Sequence, residues 1–147
     1  MSLRKDPKFK LLLVRHGETD SNKEMRFVGR GDSPLNDTGR QQVAATAQRL
    51  AGHQIDHFYS SPASRARETA EIINRSFGAP FTTHESLWEL DFNRWEGMTL
   101  QEIMQNDPEG WNAFFELRDE APHGGETLED AAPPRARMDG SHSYGPS

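Results

Sequence analysis

The sequence predicts an α/β fold with a mostly parallel sheet, and three observations predict it. Leu11-Leu12-Leu13-Val14 is an unbroken apolar run that stops at Arg15-His16-Gly17, the pattern of a strand covered on both faces that delivers its last residues to an open sheet edge. Short apolar runs at 55–59 and 81–84 alternate with segments of helical period at 38–51 and 62–77, as in strand–helix–strand units. Capping residues, prolines and glycines punctuate these segments, in the order that helix starts and stops require.

Taken in order, residues 1–8 read as a flexible, basic N-terminal tail and 9–15 as the first strand. Gly17 lets the backbone turn sharply after it, and Thr19 or Asp20 caps a short helical turn through Asn22. Residues 23–35 form an irregular loop carrying Arg26 and Arg30 beside Gly29 and Gly31. Thr38 to Ala51 is a helix. Thr38 and Gln41 supply its capping box, Val43, Ala44, Ala47, Leu50 and Ala51 its apolar face, and Gly52 its end. Ile55 to Tyr59 is a second strand. Ser60-Ser61-Pro62 then opens a helix to Phe77, with a serine cap and proline in the first turn. Its buried stripe is Ala66, Ala70, Ile73 and Phe77, and Gly78 ends it. Phe81 to His84 is the third strand. Thr99 with Glu102 forms another capping box, Asp107-Pro108 restarts the helix, and Trp111, Phe114, Phe115 and Arg118 follow at helical spacing as a flank over the sheet edge. Thr127 can cap one more helix, but Pro133-Pro134 break it.

Composition bounds the function. Only 33% of the 147 residues are apolar, against roughly 45–50% (glycine included) in a typical globular chain, and the shortfall falls mostly in the last third. Residues 131–147 read as a disordered tail. A net charge of −6 argues against nonspecific nucleic-acid binding. The chain has no cysteine, hence no disulfide framework and no thiolate chemistry. The run at Leu11 is far too short to span a membrane, so a cytoplasmic protein is the expectation.

Candidate functional residues gather at strand ends, where open α/β sheets bind ligands. An arginine beside a histidine there is costly without an anionic partner, and phosphate matches the guanidinium fork. Arg65, in the first turn after the second strand, projects toward the same edge as Arg15 and His16, where first-turn amides favour an anion. Alone, Arg65 reads more simply as a surface ion pair with Glu68 or Glu71. Arg26 and Arg30 read equally well as a solvated loop or as a wall of an anion pocket. His53 and His57 stand four apart but straddle a turn and a strand, so a metal pair is not expected. Around Trp88, Phe92 and Trp95, the acids Glu89, Asp91 and Glu96 alternate with aromatics. Carboxylates in apolar surroundings suit a general acid, but spacing alone favours aromatics in the core and acids in water.

These residues resemble the histidine phosphatase superfamily, the phosphoglycerate mutase-like enzymes. The resemblance runs through Arg15-His16-Gly17-Glu18-Thr19 with Asn22, Gly29, Pro34-Leu35 and Gly39-Arg40-Gln41. It continues through Ser60-Ser61-Pro62, Arg65-Ala66 with Thr69-Ala70, Leu87, Glu89, Asp91-Phe92, Trp95-Glu96-Gly97, and Pro122 with Gly125-Glu126-Thr127. It implies a three-layer α/β/α domain over 9–130. It also implies catalytic roles for His16, Glu89, Arg15 and Arg65: a phosphohistidine on His16, phosphoryl oxygens held by Arg15 and Arg65, and Glu89 as proton donor and then base. Asn22, Gly29, Arg15 and Arg65 would bind phosphate. One nitrogen of His16 would be held by a backbone carbonyl near Gly17. The implied substrate is a small phosphorylated molecule, with no metal and no cofactor.

Two positions depart from the family pattern. Asn93 stands where glycine is usual, at a turn where asparagine tolerates positive φ. No apolar strand with a second catalytic His-Gly block follows Thr127. His142 fits by letter only, and His123 precedes the Gly125 block. The expectation is a C-terminally truncated or frame-altered domain lacking its last strand and helix, its tail from Pro133 of unrelated sequence and its first strand short of a neighbour. Three functions follow from the resemblance: a phosphomonoester hydrolase, a non-catalytic phosphate-binding remnant, or a phosphoglycerate mutase. Residues 98–121 carry one arginine, Arg118, which is poor for gripping a second phosphate. This favours a phosphatase over a mutase, and the aromatic stretch Trp111–Phe115 is similar to that of alpha-ribazole and broad-specificity phosphatases.

Overall fold

The computed structural model describes residues 9–116 and 119–130. The readings placed on the tails 1–8 and 131–147, on Arg118 and on His142 lie outside them. Along the described residues run α1 (Asp20–Lys23), α2 (Asp37–Leu50), β1 (Phe58–Ser60), α3 (Ser64–Asn74), β2 (Phe81–Thr83), α4 (Leu100–Asn106) and α5 (Pro108–Glu116). Short 3-10 turns at Glu85–Leu87 and Asn93–Trp95 lie between β2 and α4.

β1 and β2 pair in parallel, Phe58 opposite Phe81 and Ser60 opposite Thr83. Parallel neighbours need a crossover, which α3 supplies. The helix packs on β1 and on α2. Leu35, Val43, Ala47 and Ile73 form the first core, with Leu50, Phe58, Ile72 and Phe77 against it. A second core joins Leu90, Trp95, Ile103 and Phe114, with Phe27, Phe92, Met98, Trp111 and Leu128 packed around. The expected aromatic flank of α5 is therefore partly core.

The first predicted strand is the largest correction. Residues 11–18 join no ladder, and Leu11 and Leu13 are 69% and 87% exposed. The run has the composition of a two-face-covered strand, but such a strand needs neighbours, and among the described residues none pairs with it. Cap positions also move. Asn36, not Thr38, caps α2 by accepting from the Gly39 amide. Ala63, not a serine, stands at the N-cap of α3 without a side-chain cap, while the Ser61 hydroxyl, two residues earlier, accepts from the Ala63 amide. α3 ends at Asn74 rather than Phe77, β1 begins at Phe58 rather than Ile55, and Ala44 and Ala51 face solvent. The Thr99–Glu102 capping box forms as expected, Thr19 caps α1, and Asn93 adopts φ 37°.

His123 belongs to the second core, wholly buried. Its ring stacks on Trp95 at 4.5 Å and meets Phe114 edge-on at 5.0 Å. Nε2 lies 3.1 Å from the Asp91 carbonyl oxygen, whereas Nδ1 has no partner. A carbonyl only accepts, so Nε2 carries the hydrogen and the ring is held neutral. Burial pushes its pKa below 6.5, against the opposing pull of Asp91. The unfolded chain therefore takes up a proton below about pH 6.5 that the folded chain resists. Stability falls as pH drops from there toward the depressed folded value.

Two outcomes are expected. Ile103 is fully buried, so Ile103→Ala should cost about 2–5 kcal/mol in urea unfolding. Replacing His123 by phenylalanine should flatten the loss of melting temperature between about pH 7.5 and 5.5, compared with the unaltered chain in calorimetry.

Candidate active site

The turn after Val14 is held from several sides. Thr19 and Asn22 close a reciprocal capping box, with the Thr19 amide donating to Asn22 Oδ1 at 3.1 Å and the Asn22 amide to Thr19 Oγ1 at 3.2 Å. The Asn36 amide donates to the Glu18 carbonyl at 3.0 Å, and Asn36 Nδ2 reaches the Glu18 carboxylate at 2.9 Å. Gly17 lies against Gly39, where a side chain on either residue would run into the other segment's backbone. The Gly17 amide donates to the Thr69 hydroxyl at 3.2 Å and the Glu18 amide to Gln42 Oε1 at 3.0 Å.

This scaffold aims His16. Its Nδ1 lies 2.7 Å from the Gly17 carbonyl oxygen, the neighbour the sequence anticipates. Because the carbonyl can only accept, Nδ1 carries the hydrogen and Nε2 keeps its lone pair. Burial lowers the pKa of His16 from 6.5, the Gly17 bond opposes this, Arg65 and Arg15 lower it further, and Glu89 raises it. The ring therefore stays neutral to lower pH than a free histidine.

Arg65 is 5% exposed. Its guanidinium donates to the Gly29 carbonyl at 2.8 Å and weakly to that of Gly31 at 3.4 Å. The simpler reading of an ion pair does not hold: Glu68 pairs with Arg40 at 2.6 Å and Glu71 approaches Arg67 at 3.7 Å. Burial lowers the Arg65 pKa, while Glu89, Glu96 and Asp32 raise it. The loop that cradles Arg65 is itself tied down. Glu96 Oε1 accepts from the Gly29 amide at 2.7 Å and the Arg30 amide at 3.0 Å. Arg30 pairs with Glu126 at 2.6 Å, and the other Glu126 oxygen accepts from the Asp91 amide at 2.9 Å. Arg26 pairs with Glu24 and Glu102. The loop arginines are thus braces, not an anion-pocket wall.

The site residues fall into three positions. Arg15, His16 and Asn22 line a cleft of about 170 Å³ together with Glu18 and Gln42. Arg65 and Glu89 act on His16 by their charge. Gly29 stands behind Arg65, its carbonyl on the guanidinium and its amide on Glu96. Glu89 is exposed and accepts from the Leu90 amide at 2.9 Å, while Trp95 is buried, so here the acid faces water and the aromatic the core. His53 and His57 do not form a metal pair: His57 Nε2 contacts Thr82 at 2.8 Å. No cluster of metal-ligating side chains occurs among the described residues, and no helix there is long and apolar enough to cross a membrane. Sequence reasoning missed Gln42, and it gave no role to Thr69, Glu96 or Glu126. Their long-range partners are 24 to 96 residues away, and no local pattern signals such bonds.

A cleft lined by Arg15 and His16, with the buried Arg65 acting on His16 by its charge, is an arrangement suited to an anion on an α/β scaffold. The family model for the histidine phosphatase superfamily (branch 1) matches residues 11–138, and the chain belongs to that superfamily. Phosphoglycerate mutase-like protein 4 of Arabidopsis thaliana is 41% identical over 123 residues, 81% of this chain and 54% of that protein. An alpha-ribazole phosphatase from Shigella flexneri superposes with a TM-score of 0.73 at 28% identity, covering 80% of this chain and 59% of its own. A mycobacterial glucosyl-3-phosphoglycerate phosphatase solved with VO3 gives 0.71 at 34%, covering 79% and 56%. The chain spans from 34% to 57% of the length of the curated relatives it matches.

Gly29→Ala tests the cradle. A Cβ there would run into the Leu90 carbonyl and the Glu96 carboxylate. The variant should lose about 1–3 kcal/mol of stability in urea unfolding and bind inorganic phosphate more weakly by calorimetry.

Proposed function

We propose that this chain is a phosphomonoester hydrolase that works through a phosphohistidine on His16. The carrying observation is the 2.7 Å contact of His16 Nδ1 with the Gly17 carbonyl, which leaves Nε2 bare beside Arg15 and Arg65. Nε2 attacks phosphorus in line, and the P–O bond to the leaving alkoxide breaks. Arg15 and Arg65 hold the phosphoryl oxygens and offset their charge, with Asn22 and Gly29 completing the phosphate pocket. Glu89 gives its proton to the alkoxide, then takes one from the water that releases phosphate and restores His16. The arginines supply the positive charge, so the reaction needs no metal. The substrate is a small phosphorylated molecule in the cytoplasm. The single arginine in 98–121 favours hydrolysis over mutase transfer, and the solved relatives titled as phosphatases agree with that preference.

A second reading has an observation of its own. His123, the one histidine beyond Glu89 among the described residues, is packed in aromatic core and does not line the His16 cleft. A site with no second histidine beside His16 would bind phosphate without turning it over.

Hydrolysis of p-nitrophenyl phosphate that persists in chelator and drops by at least about a thousandfold in His16→Ala is the expected result; full activity in that variant rejects the hydrolase. Vanadate binding without turnover selects the second reading. kcat/KM should fall on acidification only below about pH 6.5, because His16 must be neutral to attack. Glu89→Gln should slow alkyl phosphates more than p-nitrophenyl phosphate, whose leaving group departs without a proton.

A further inference from the structure

Thr69 joins the two halves of the site through one hydroxyl. It lies one helical turn after Arg65 on α3 and is 4% exposed. Oγ1 donates to the Arg65 carbonyl at 2.8 Å. That carbonyl can only accept, so the single hydroxyl proton is committed there. The lone pairs are free for the Gly17 amide, which donates to them at 3.2 Å across 52 residues of sequence. Threonine bonding back to a carbonyl four residues earlier is common in helices, and Thr46 does so to Gln42 at 3.1 Å. Thr69 differs in its second bond. Gly17 is also the residue whose carbonyl accepts from His16 Nδ1.

We propose that Thr69 is a positioning residue: by holding the Gly17 amide, its hydroxyl sets the register between Gly17, whose carbonyl aims His16, and the helix turn that carries Arg65. The inference rests on the reading of His16 as nucleophile. Phosphate held by Arg65 then meets Nε2 at a separation fixed by two hydrogen bonds through one atom. The Gly17–Glu18 peptide, whose carbonyl accepts from His16 Nδ1, is itself anchored on α2, its Glu18 amide donating to Gln42. The turn therefore cannot pivot about that anchor while Thr69 holds.

The test uses the full chain with Thr69→Val, Thr69→Ser and Thr46→Val. Valine keeps the shape and removes the hydroxyl, and serine returns it. Thr69→Val should lower kcat about ten- to hundredfold, with a smaller change in KM, and should move the His16 titration seen by NMR toward that of a free histidine. Thr69→Ser should restore both, and Thr46→Val should change neither. Unaltered kcat and His16 titration in Thr69→Val overturn the proposal, as does a deficit that serine fails to restore. A wild-type chain without turnover would reject the hydrolase, while the His16 titration would still decide the role of Thr69. Should Thr69→Val not fold, the wild-type Gly17 amide decides: protection from hydrogen exchange is expected, and rapid exchange overturns the bond.

Discussion

A buried guanidinium whose hydrogen-bond partners are carbonyl oxygens is the constraint around which the described fold is arranged. Arg65 is nearly inaccessible, yet it forms no ion pair among the described residues. Carbonyls satisfy its donors without cancelling its charge, and an uncancelled buried charge is expensive. The carboxylates that temper it, Glu89, Glu96 and Asp32, act at a distance. On the proposed function, a phosphoryl group beside His16 would meet a cation already stripped of water and without a direct carboxylate partner among the described residues. Attraction there is stronger than between solvated ions.

The cost of holding that charge is spread over loops distant in sequence. Glu96 fixes the strand of backbone that faces Arg65, Arg30 passes the tie to Glu126, and Glu126 grips the Asp91 amide two residues past Glu89. Exposed ion pairs contribute little stability as a rule. Here the Arg30–Glu126 pair has a geometric use, since it connects the loop behind Arg65 to the segment that carries Glu89. The second core, with His123 stacked on Trp95, supports the same segment from beneath.

Much of the fold was legible in the sequence wherever short-range chemistry decides it. The reciprocal bonds of Thr99 with Glu102, the parallel strand at Phe81 and the helix through Val43 and Ala47 follow from caps and periodicity. The Nδ1 contact of His16 followed from the family pattern and lies where that pattern put it. Other features depend on partners that no window of sequence contains. The run at Leu11 has strand composition, but a strand exists only in pairs. Arg65 invited a carboxylate at helical spacing, and received two carbonyls from a loop more than thirty residues earlier. Asn36 displaced Thr38 as cap because the Glu18 backbone and side chain hold it at the helix start.

The exposed stretch from Leu11 to Val14 is covalently continuous with Arg15 and His16. No backbone bond to another described residue restrains it, so each of its residues retains conformational freedom worth about 1–2 kcal/mol when quenched. Arg15 inherits this looseness, being exposed, while His16 is anchored from the other side by Gly17. The two residues proposed to face phosphate are thus unequal: His16 is preorganised by its bond to Gly17, and Arg15 would have to be frozen on binding, at a cost to affinity.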